Sequence, residues 1–275
     1  MEYKLLVCDF DGTLYTDDFR IPEENVNAID QFRSQGGQVL IATGRLFSAI
    51  RKHLPTLHIE DGEIICHQGA STFDVKTGSL LNTIYLESDI AISVLKYLES
   101  LVNVLPLIFY QDKAYTYLHH DSVEYFANLM SISVVYTNNK LSDFVENGQI
   151  EFPKILIMVD ESIIETLTSD LNARFVGHML FNRASANLIE GVSVKASKGN
   201  AVADFAKRHN IPREQIVAIG DAENDISMIK YAGLGIAVGN AMPKLKDVAD
   251  VVVETNNDLG VAKAVKRYLL NEKHI

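Results

Sequence analysis

The sequence predicts an α/β fold in which both ends of the chain build one doubly wound parallel sheet, with a smaller α+β domain inserted between them. Two observations predict this fold. Short apolar strands alternate with helical segments at both ends of the chain, whereas the middle third contains a hairpin among its helices. We therefore place the sheet domain at 1–83 and 185–275 and the inserted domain at 84–184.

The first third contains three strand-like runs separated by helices. The Leu-Leu-Val-Cys run within 4–10 is typical of a strand that is buried on both faces. A helix is expected from Glu23, because Pro22 precedes it and acidic residues fill its first turn, and the Gly36-Gly37 pair ends it. The next elements in chain order are a strand at 38–42, a helix at 46–53 and a strand at 63–66.

The middle third predicts a different arrangement. A hairpin is expected from strands at 104–110 and 114–118, which a Gln-Asp-Lys turn separates. Further strands are expected at 154–160 and 174–181, and helices at 89–101, 121–130 and 161–172.

The last third returns to alternation between strands and helices. Strands are expected at 215–220, 235–238 and 250–253, and helices at 198–209, 223–231, from Pro243, and at 258–270.

Composition narrows the classes of function. The 275 residues carry a net charge of −11, with 47% apolar and 22% charged residues, which excludes a disordered or collagen-like chain and disfavours nucleic acid as a partner. No apolar run approaches the ~18 residues of a membrane span, and the N-terminal run is too short for a signal peptide. Cys8 and Cys66 lie in strand-like runs, so we expect reduced thiols and a cytoplasmic location.

Four polar clusters each follow a predicted strand or begin a helix, which is where open α/β sheets bind ligands. They are Asp9-Phe10-Asp11-Gly12-Thr13, Thr43-Gly44-Arg45, Ser197-Lys198-Gly199-Asn200 and Gly220-Asp221-Ala222-Glu223-Asn224-Asp225.

The residue types in these clusters suit catalysis and the binding of charged ligands. Asp9 and Asp11 can divide the role of nucleophile or metal ligand from that of proton transfer. Thr43 followed by glycine before a helix suits a phosphate. A cation such as Lys198 is unfavourable at a helix start unless an anion shares the site, and carboxylates clustered at Asp221 repel one another unless a cation lies among them.

Each cluster also has a structural interpretation: a strand end with a glycine turn, a helix cap, an exposed lysine, or an acidic helix start.

Several other motifs are excluded. The sequence contains no P-loop, GxGxxG or GxSxG motif. An EF-hand cannot begin at Asp9 or Asp221, because Leu14 and Ile226 stand where its loop needs glycine.

In this order, the clusters resemble the four motifs of the haloacid dehalogenase-like superfamily of phosphohydrolases. The run from Asp9 to Leu14 is similar to the first motif, DxDGT, and Thr43, Lys198 and the run from Gly220 to Asp225 are similar to the other three. The long insert between the second and third motifs, with GDxxND as the fourth, resembles the Cof-type branch. That branch implies a Rossmann-like core, an inserted α/β cap that selects the substrate, and hydrolysis of small phosphate monoesters, often sugar phosphates.

The resemblance also implies roles for individual residues. Asp9 would attack phosphorus, and Asp11 would protonate the leaving oxygen and then activate water. Mg²⁺ would be held by the Asp9 carboxylate, the Asp11 backbone carbonyl and Asp221, with Asp225 on a metal-bound water or behind the ligands. The phosphate-binding set would comprise the amides around Phe10 and Gly44 together with Thr43, Arg45, Lys198 and Asn224.

One position departs from the family pattern, and two rival functions stay open. The branch usually has Asn-Gly-Ala after the third strand, whereas this chain has Gln68-Gly69-Ala70, which leaves the effect on the site open. The rivals are a phosphomutase or phosphotransferase and a non-catalytic metabolite-binding relative. The expected partner is a small phosphorylated metabolite, not nucleic acid or a membrane, and the sequence does not indicate an oligomeric state.

Overall fold

The computed structural model describes residues 2–270, which form fourteen strands and ten α-helices. The strands are β1 Leu5–Cys8, β2 Gln38–Ala42, β3 Glu63–Cys66, β4 Ser71–Asp74, β5 Leu80–Thr83, β6 Leu105–Tyr110, β7 Lys113–Thr116, β8 Val134–Tyr136, β9 Lys154–Met158, β10 Met179–Ser185, β11 Leu188–Ser193, β12 Ile216–Gly220, β13 Leu234–Ala237 and β14 Val251–Val252. The helices are α1 Glu23–Ser34, α2 Phe47–Arg51, α3 Ser88–Leu98, α4 Asp121–Met130, α5 Leu141–Gly148, α6 Ile164–Arg174, α7 Lys198–Arg208, α8 Ile226–Tyr231, α9 Pro243–Lys246 and α10 Gly260–Ala264.

The described chain divides into two compact units. The first contains the residues up to Arg45, then Ile50–Asn82, then those from Ser197 onward. The second contains Thr83–Ala196 and the short segment Leu46–Ala49.

The first unit contains an eight-stranded sheet with the order β14-β13-β12-β1-β2-β3-β4-β5. The six strands from β14 to β3 are parallel, and β4 pairs with β3 in the antiparallel direction. All four residues of β1 are buried, as the apolar run predicts for a central strand. Helix α1 packs against α10, and α7 packs against α8. This arrangement confirms the predicted α/β class with a parallel-sheet core.

The second unit has a six-stranded sheet of its own, with the order β10-β11-β9-β6-β7-β8. Side chains of β9 alternate between two apolar clusters, as the pleat of a strand requires. Ile155 and Ile157 pack with α3, α5 and α6, whereas Leu156 and Met158 pack with α4. This unit therefore buries apolar side chains on both faces of its sheet.

The middle of the chain differs from the sequence-based expectation at two points. The insertion was expected to end at 184, but β11 pairs with both β9 and β10, so the second unit continues to Ala196. The strand expected at 174–181 begins only at Met179, because helix α6 extends to Arg174.

The sequence analysis did not predict strands β4, β5, β8 and β11 or helix α5. The strands are short or mix polar with apolar residues, so no twofold period is evident. Helix α5 is amphipathic, with Leu141 and Val145 buried at helical spacing, and this pattern was missed. The helix expected at 258–270 begins at Gly260 and becomes π-helical over Val265–Leu269.

Both cysteines are buried thiols at the ends of strands β1 and β3. Among residues 2–270, no helix combines the length and the apolar character that crossing a bilayer requires.

Candidate active site

Three polar clusters lie together at one edge of the first unit's sheet. Strand β1 lies between β12 and β2, and all three run in parallel. Asp9, Thr43 and Asp221 each directly follow one of these strands. Because parallel strands end at the same edge of a sheet, the fold brings these three residues to neighbouring positions.

The fourth cluster reaches this edge through the start of α7. Ser197 caps this helix, since its hydroxyl accepts the Asn200 backbone N–H at 3.0 Å. Lys198, the first helical residue, is buried, and its Nζ donates to Asp9 Oδ1 at 2.5 Å and to Asp225 Oδ1 at 2.6 Å. These two carboxylates are the anions that the sequence analysis required beside Lys198.

Burial and ion pairing act in opposite directions on the pKa of Lys198. Burial lowers the pKa of Lys198, but the carboxylates of Asp225 and Asp9 outweigh burial and raise this pKa above the usual lysine value. Burial raises the pKa of Asp9 well above the usual carboxyl range, although Lys198 acts against this. The site therefore holds a firmly protonated lysine and is short of positive charge.

Asp225 is fully buried, and the protein uses both of its carboxylate oxygens. Oδ1 accepts from Lys198, while Oδ2 accepts the backbone N–H groups of Asp221 at 2.9 Å and Ala222 at 3.1 Å. Asp225 thus fixes the lysine and the loop after β12 at the same time.

Asp221 lies against the glycine turn of the first cluster. Its Oδ1 accepts a hydrogen bond from the Thr13 hydroxyl at 2.9 Å. Gly12 has a φ of +76°, and a Cβ at this position would lie 2.5 Å from Asp221 Oδ2, so only glycine fits here. Burial, followed by the nearby Asp225 carboxylate, raises the pKa of Asp221 to about 6.

These carboxylates fit a divalent cation. Within residues 2–270, one group of acidic, histidine or cysteine side chains has the spacing of a metal site: Asp9, Asp221 and Asp225 offer ligand atoms within 4.8 Å of one another. Carboxylate oxygens are the ligands that Mg²⁺ prefers, and a cation would offset the burial and the Asp225 charge that raise the pKa of Asp221.

The Asp11 carboxylate is not part of that group, because it pairs with Arg45. Arg45 Nε donates to Asp11 Oδ2 at 2.8 Å, and Nη2 donates to Asp11 Oδ1 at 2.5 Å. The Asp11 side chain is 52% exposed and the Arg45 side chain 11% exposed. The structure thus joins two predicted site residues in a bidentate ion pair that the sequence analysis did not foresee.

Aromatic rings surround the Arg45 guanidinium. Its central carbon lies 4.9 Å from the ring centre of Phe10 and 5.3 Å from that of Tyr15. Its Nη1 lies 3.3 Å from His53 Nε2. Burial, followed by the charge of Arg45, lowers the pKa of His53 to about 4. Sequence reasoning missed Tyr15 and His53, and no local motif would have identified them.

Gln68 occupies the position where the family pattern has asparagine. Its Oε1 accepts from Asn224 Nδ2 at 2.7 Å, and a Cβ on Gly44 would lie 2.3 Å from Gln68 Nε2. Gln68 therefore connects the second and fourth clusters. Asn224 Oδ1 is buried without a hydrogen-bond partner in the protein. Thr43 is also buried, and its hydroxyl accepts the Arg45 backbone N–H at 3.1 Å.

Comparison with known proteins gives consistent matches over almost the whole chain. Residues 6–265 match the family model of haloacid dehalogenase-like hydrolases. The chain is 27% identical to the Bacillus subtilis 5-amino-6-(5-phospho-D-ribitylamino)uracil phosphatase YitU, over 96% of this chain and 97% of that protein. It is 28% identical to phosphatase YwpJ of Bacillus subtilis, over 97% of this chain and 100% of that protein.

A solved structure gives the same result. The crystal structure of a haloacid dehalogenase-like hydrolase from Bacteroides thetaiotaomicron superposes with a TM-score of 0.84 and is 28% identical in sequence. The match covers 96% of this chain and 99% of that one.

Proposed function

Since this chain belongs to the haloacid dehalogenase-like hydrolase family, we propose that it hydrolyses small phosphate monoesters with the help of Mg²⁺. One observation carries the proposal. The buried Lys198 ammonium contacts the Asp9 and Asp225 carboxylates, and Asp221 offers a further ligand atom within 4.8 Å of those two. Burying such a cluster of charges is costly. Clusters of this kind are typical of functional sites, and this one suits an anionic substrate and a metal ion.

Asp9 is the proposed nucleophile. Its carboxylate oxygen forms a bond to phosphorus while the bond from phosphorus to the ester oxygen breaks, which leaves an aspartyl-phosphate. Water then attacks this phosphorus, and the bond to Asp9 breaks as free phosphate forms. Lys198 Nζ, the Thr43 hydroxyl and the amides around Phe10 and Gly44 hold the phosphoryl oxygens during both steps.

Asp11 is the proposed acid and base. In the first step the protonated form of Asp11 gives its proton to the ester oxygen that leaves, and in the second step the resulting carboxylate takes a proton from the attacking water, which restores the acid. Its pairing with Arg45 at 2.5 and 2.8 Å fixes both carboxylate oxygens. Arg45 thus acts through Asp11 in this proposal, in addition to the phosphate contact that the resemblance implies.

The metal site is proposed at Asp9 and Asp221, with the Asp11 backbone carbonyl as a further ligand. When bound, Mg²⁺ supplies positive charge that offsets the carboxylates and the phosphate dianion. Asp225 is better suited to positioning than to direct ligation, since both of its oxygens already accept hydrogen bonds from Lys198 and the 221–222 backbone.

The proposed substrates are phosphorylated sugars and sugar alcohols. Two relatives, YitU and YcsE of Bacillus subtilis, at 27% and 25% identity, are named as phosphatases of 5-amino-6-(5-phospho-D-ribitylamino)uracil, which is a ribityl phosphate. We assign the selection of the substrate to the second unit, which contains the insert between the second and third motifs.

The test is phosphate release by the purified protein across a panel of sugar, ribityl, pyridoxal and nucleoside phosphates, with Mg²⁺ and with chelator. Asp9→Asn removes the nucleophile, so release should fall by about 10³-fold or more, because removing a catalytic nucleophile can cost up to ~10⁶-fold. Asp143→Asn changes an exposed aspartate of helix α5 and is the matched control.

Other outcomes distinguish the rivals. A phosphomutase would transfer the phosphoryl group between sugar hydroxyls and release little free phosphate from a single ester. A binding protein would retain a metabolite without turnover. Strong Mg²⁺-dependent release by Asp9→Asn would refute the mechanism.

A further inference from the structure

We propose that Tyr15 and His53 are positioning residues that hold the Arg45 guanidinium against Asp11, and thereby fix the carboxyl that protonates the leaving oxygen. The inference rests on the proposed function, because it concerns the acid step of the same site. It adds two residues that lie outside all four motifs.

The guanidinium is held by aromatic rings and by contacts at its edges. Its central carbon lies over two rings, 4.9 Å from the centre of Phe10 and 5.3 Å from that of Tyr15. At its edges, Nε and Nη2 meet Asp11, and Nη1 meets His53 Nε2 at 3.3 Å. These contacts involve three of the five N–H groups of the arginine and fix both its position and its rotation.

The three rings also contact one another. The ring centres of Phe10 and Tyr15 lie 4.8 Å apart, and His53 lies 5.1 Å from each of them. Phe10 is fully buried between the two aspartates of the first motif, so the ring cluster is anchored directly beside the reacting residues. Replacing Tyr15 or His53, the two outer rings, would therefore loosen the arginine without substituting Asp9 or Asp11.

His53 is suited to this task because it is neutral. Arginine carries only N–H donors near its charge, so the His53 Nε2 that faces it must accept, and the ring proton must lie on Nδ1. Burial and the charge of Arg45 lower the pKa of His53 to about 4, so the ring stays neutral at neutral pH. A positively charged side chain at this position would repel Arg45 and weaken its hold.

Asp11 needs this support because its side chain is partly exposed to solvent. Its side chain is 52% exposed, whereas that of Arg45 is 11% exposed, so water competes with the ion pair on the Asp11 side. Holding Arg45 in advance removes the conformational cost of forming the pair. The acid then presents one orientation to the ester oxygen.

The test compares two substrates with different needs for an acid. The p-nitrophenolate anion leaves without a proton, whereas an alkoxide requires protonation. We therefore measure kcat/KM, which covers the steps up to aspartyl-phosphate formation, for p-nitrophenyl phosphate and for the alkyl monoester that the wild type hydrolyses fastest. His53→Ala and Tyr15→Leu should each lower kcat/KM about tenfold or more for the alkyl ester and less than about threefold for p-nitrophenyl phosphate.

Two controls accompany these variants. Tyr15→Phe keeps the ring over Arg45 and should retain the wild-type ratio between the substrates. His58→Ala removes an exposed histidine that pairs with Asp30, and should also leave the ratio unchanged. Melting temperatures show that each variant is folded, and Tyr15→Leu gives a second test if His53→Ala does not fold.

The outcomes separate this inference from the proposed function. An unchanged ratio, or an equal fall for both substrates, would overturn the positioning role while an inactive Asp9→Asn still upheld the phosphatase. Absence of phosphate release from every ester by the wild type would overturn both.

Discussion

A lysine at the first position of a helix is normally exposed, and Lys198 is buried. Its side chain has 0% exposure, and its contacts to Asp9 and Asp225 replace the water that it loses. Breaking a buried ion pair by removing one partner is far more costly than replacing the whole pair. The stability of this edge of the sheet should therefore depend on Lys198.

Lys198→Met should lower the free energy of unfolding by about 3–5 kcal/mol, because Asp9 and Asp225 then lose their buried counter-charge. Phosphate release should be lost as well. Lys195→Met changes a lysine whose side chain is 69% exposed, and it should cost about 0.5 kcal/mol or less. Urea unfolding of both variants measures the difference, and equal stabilities would contradict the argument.

Asp221→Asn should separate metal binding from metal-free stability. Burial and Asp225 raise the pKa of Asp221 to about 6, so its charge is unfavourable without a cation. The amide should leave the metal-free Tm equal or higher. The wild type should gain about 2.7 kcal/mol when free Mg²⁺ is 100 times its Kd, and the variant should gain much less. Thermal unfolding with and without Mg²⁺ checks this, and equal Mg²⁺-induced shifts would place the ion elsewhere.

His53 predicts a pH dependence of stability. Its pKa is about 4 in the folded protein and 6.5 when unperturbed, so the unfolded chain binds more protons between these values. Stability from this group is thus complete above about pH 6.5 and is lost as the pH falls toward about 4. His53→Gln should make the free energy of unfolding less steep in this window. Urea unfolding as a function of pH measures the slope, and a slope equal to that of the wild type would refute the assignment.

At the scale of elements, the turn after β3 packs closely against the start of helix α7. His67, Gln68 and Gly69 have φ values of 52°, 59° and +94°, so three successive residues are left-handed. A Cβ at Gly69 would lie 2.2 Å from the Ser197 carbonyl carbon, directly before Lys198. The turn therefore packs backbone against backbone at the point where the lysine enters the site.

Gly69→Ala should displace the start of α7 and reduce phosphate release strongly. Gly36→Ala is the matched control, because Gly36 has a φ of +90° but no atom within 4 Å of the added Cβ. Both substitutions should cost roughly 1–2 kcal/mol for the left-handed backbone, and only Gly69→Ala should also impair activity. Equal activity of the two variants would show that the contact with Ser197 does not position Lys198.

At the scale of the whole molecule, the two units each have an apolar core of their own. The second unit buries clusters on both faces of its six-stranded sheet, while the proposed metal ligands lie in the first unit. A segment with its own core can fold alone. The insert is therefore expected to behave as a domain.

The excised segment 83–196 should unfold cooperatively, and its Tm should not respond to Mg²⁺, whereas the Tm of the full chain should rise. Circular dichroism during heating measures both. The segment lacks Leu46 and Ala49, which belong to the apolar cluster around helix α4. Its Tm should therefore increase when these two side chains are supplied again. A fragment without a cooperative transition would contradict the independence of this unit.

The fold class and the positions of the four clusters could be predicted because both depend on local patterns. Apolar runs followed by polar turns indicate parallel strands, and parallel strands bring their ends together whatever the loops do. The end of the insert could not be predicted in this way, because Ser185 to Ala196 belongs to the second unit through the pairing of β11 with β9.

The sequence by itself determined that Asp9, Thr43 and Asp221 would share one edge of a sheet, since each of them follows a predicted strand, and the family resemblance implied that Lys198 joins them. Only the tertiary structure decided which side chains meet there. It paired Asp11 with Arg45, brought His53 to the guanidinium and joined Gln68 to Asn224. Contacts between residues far apart in the chain depend on how the loops fold and on which buried polar side chains must find a partner in place of water. Neither is encoded in the spacing of residues along the chain.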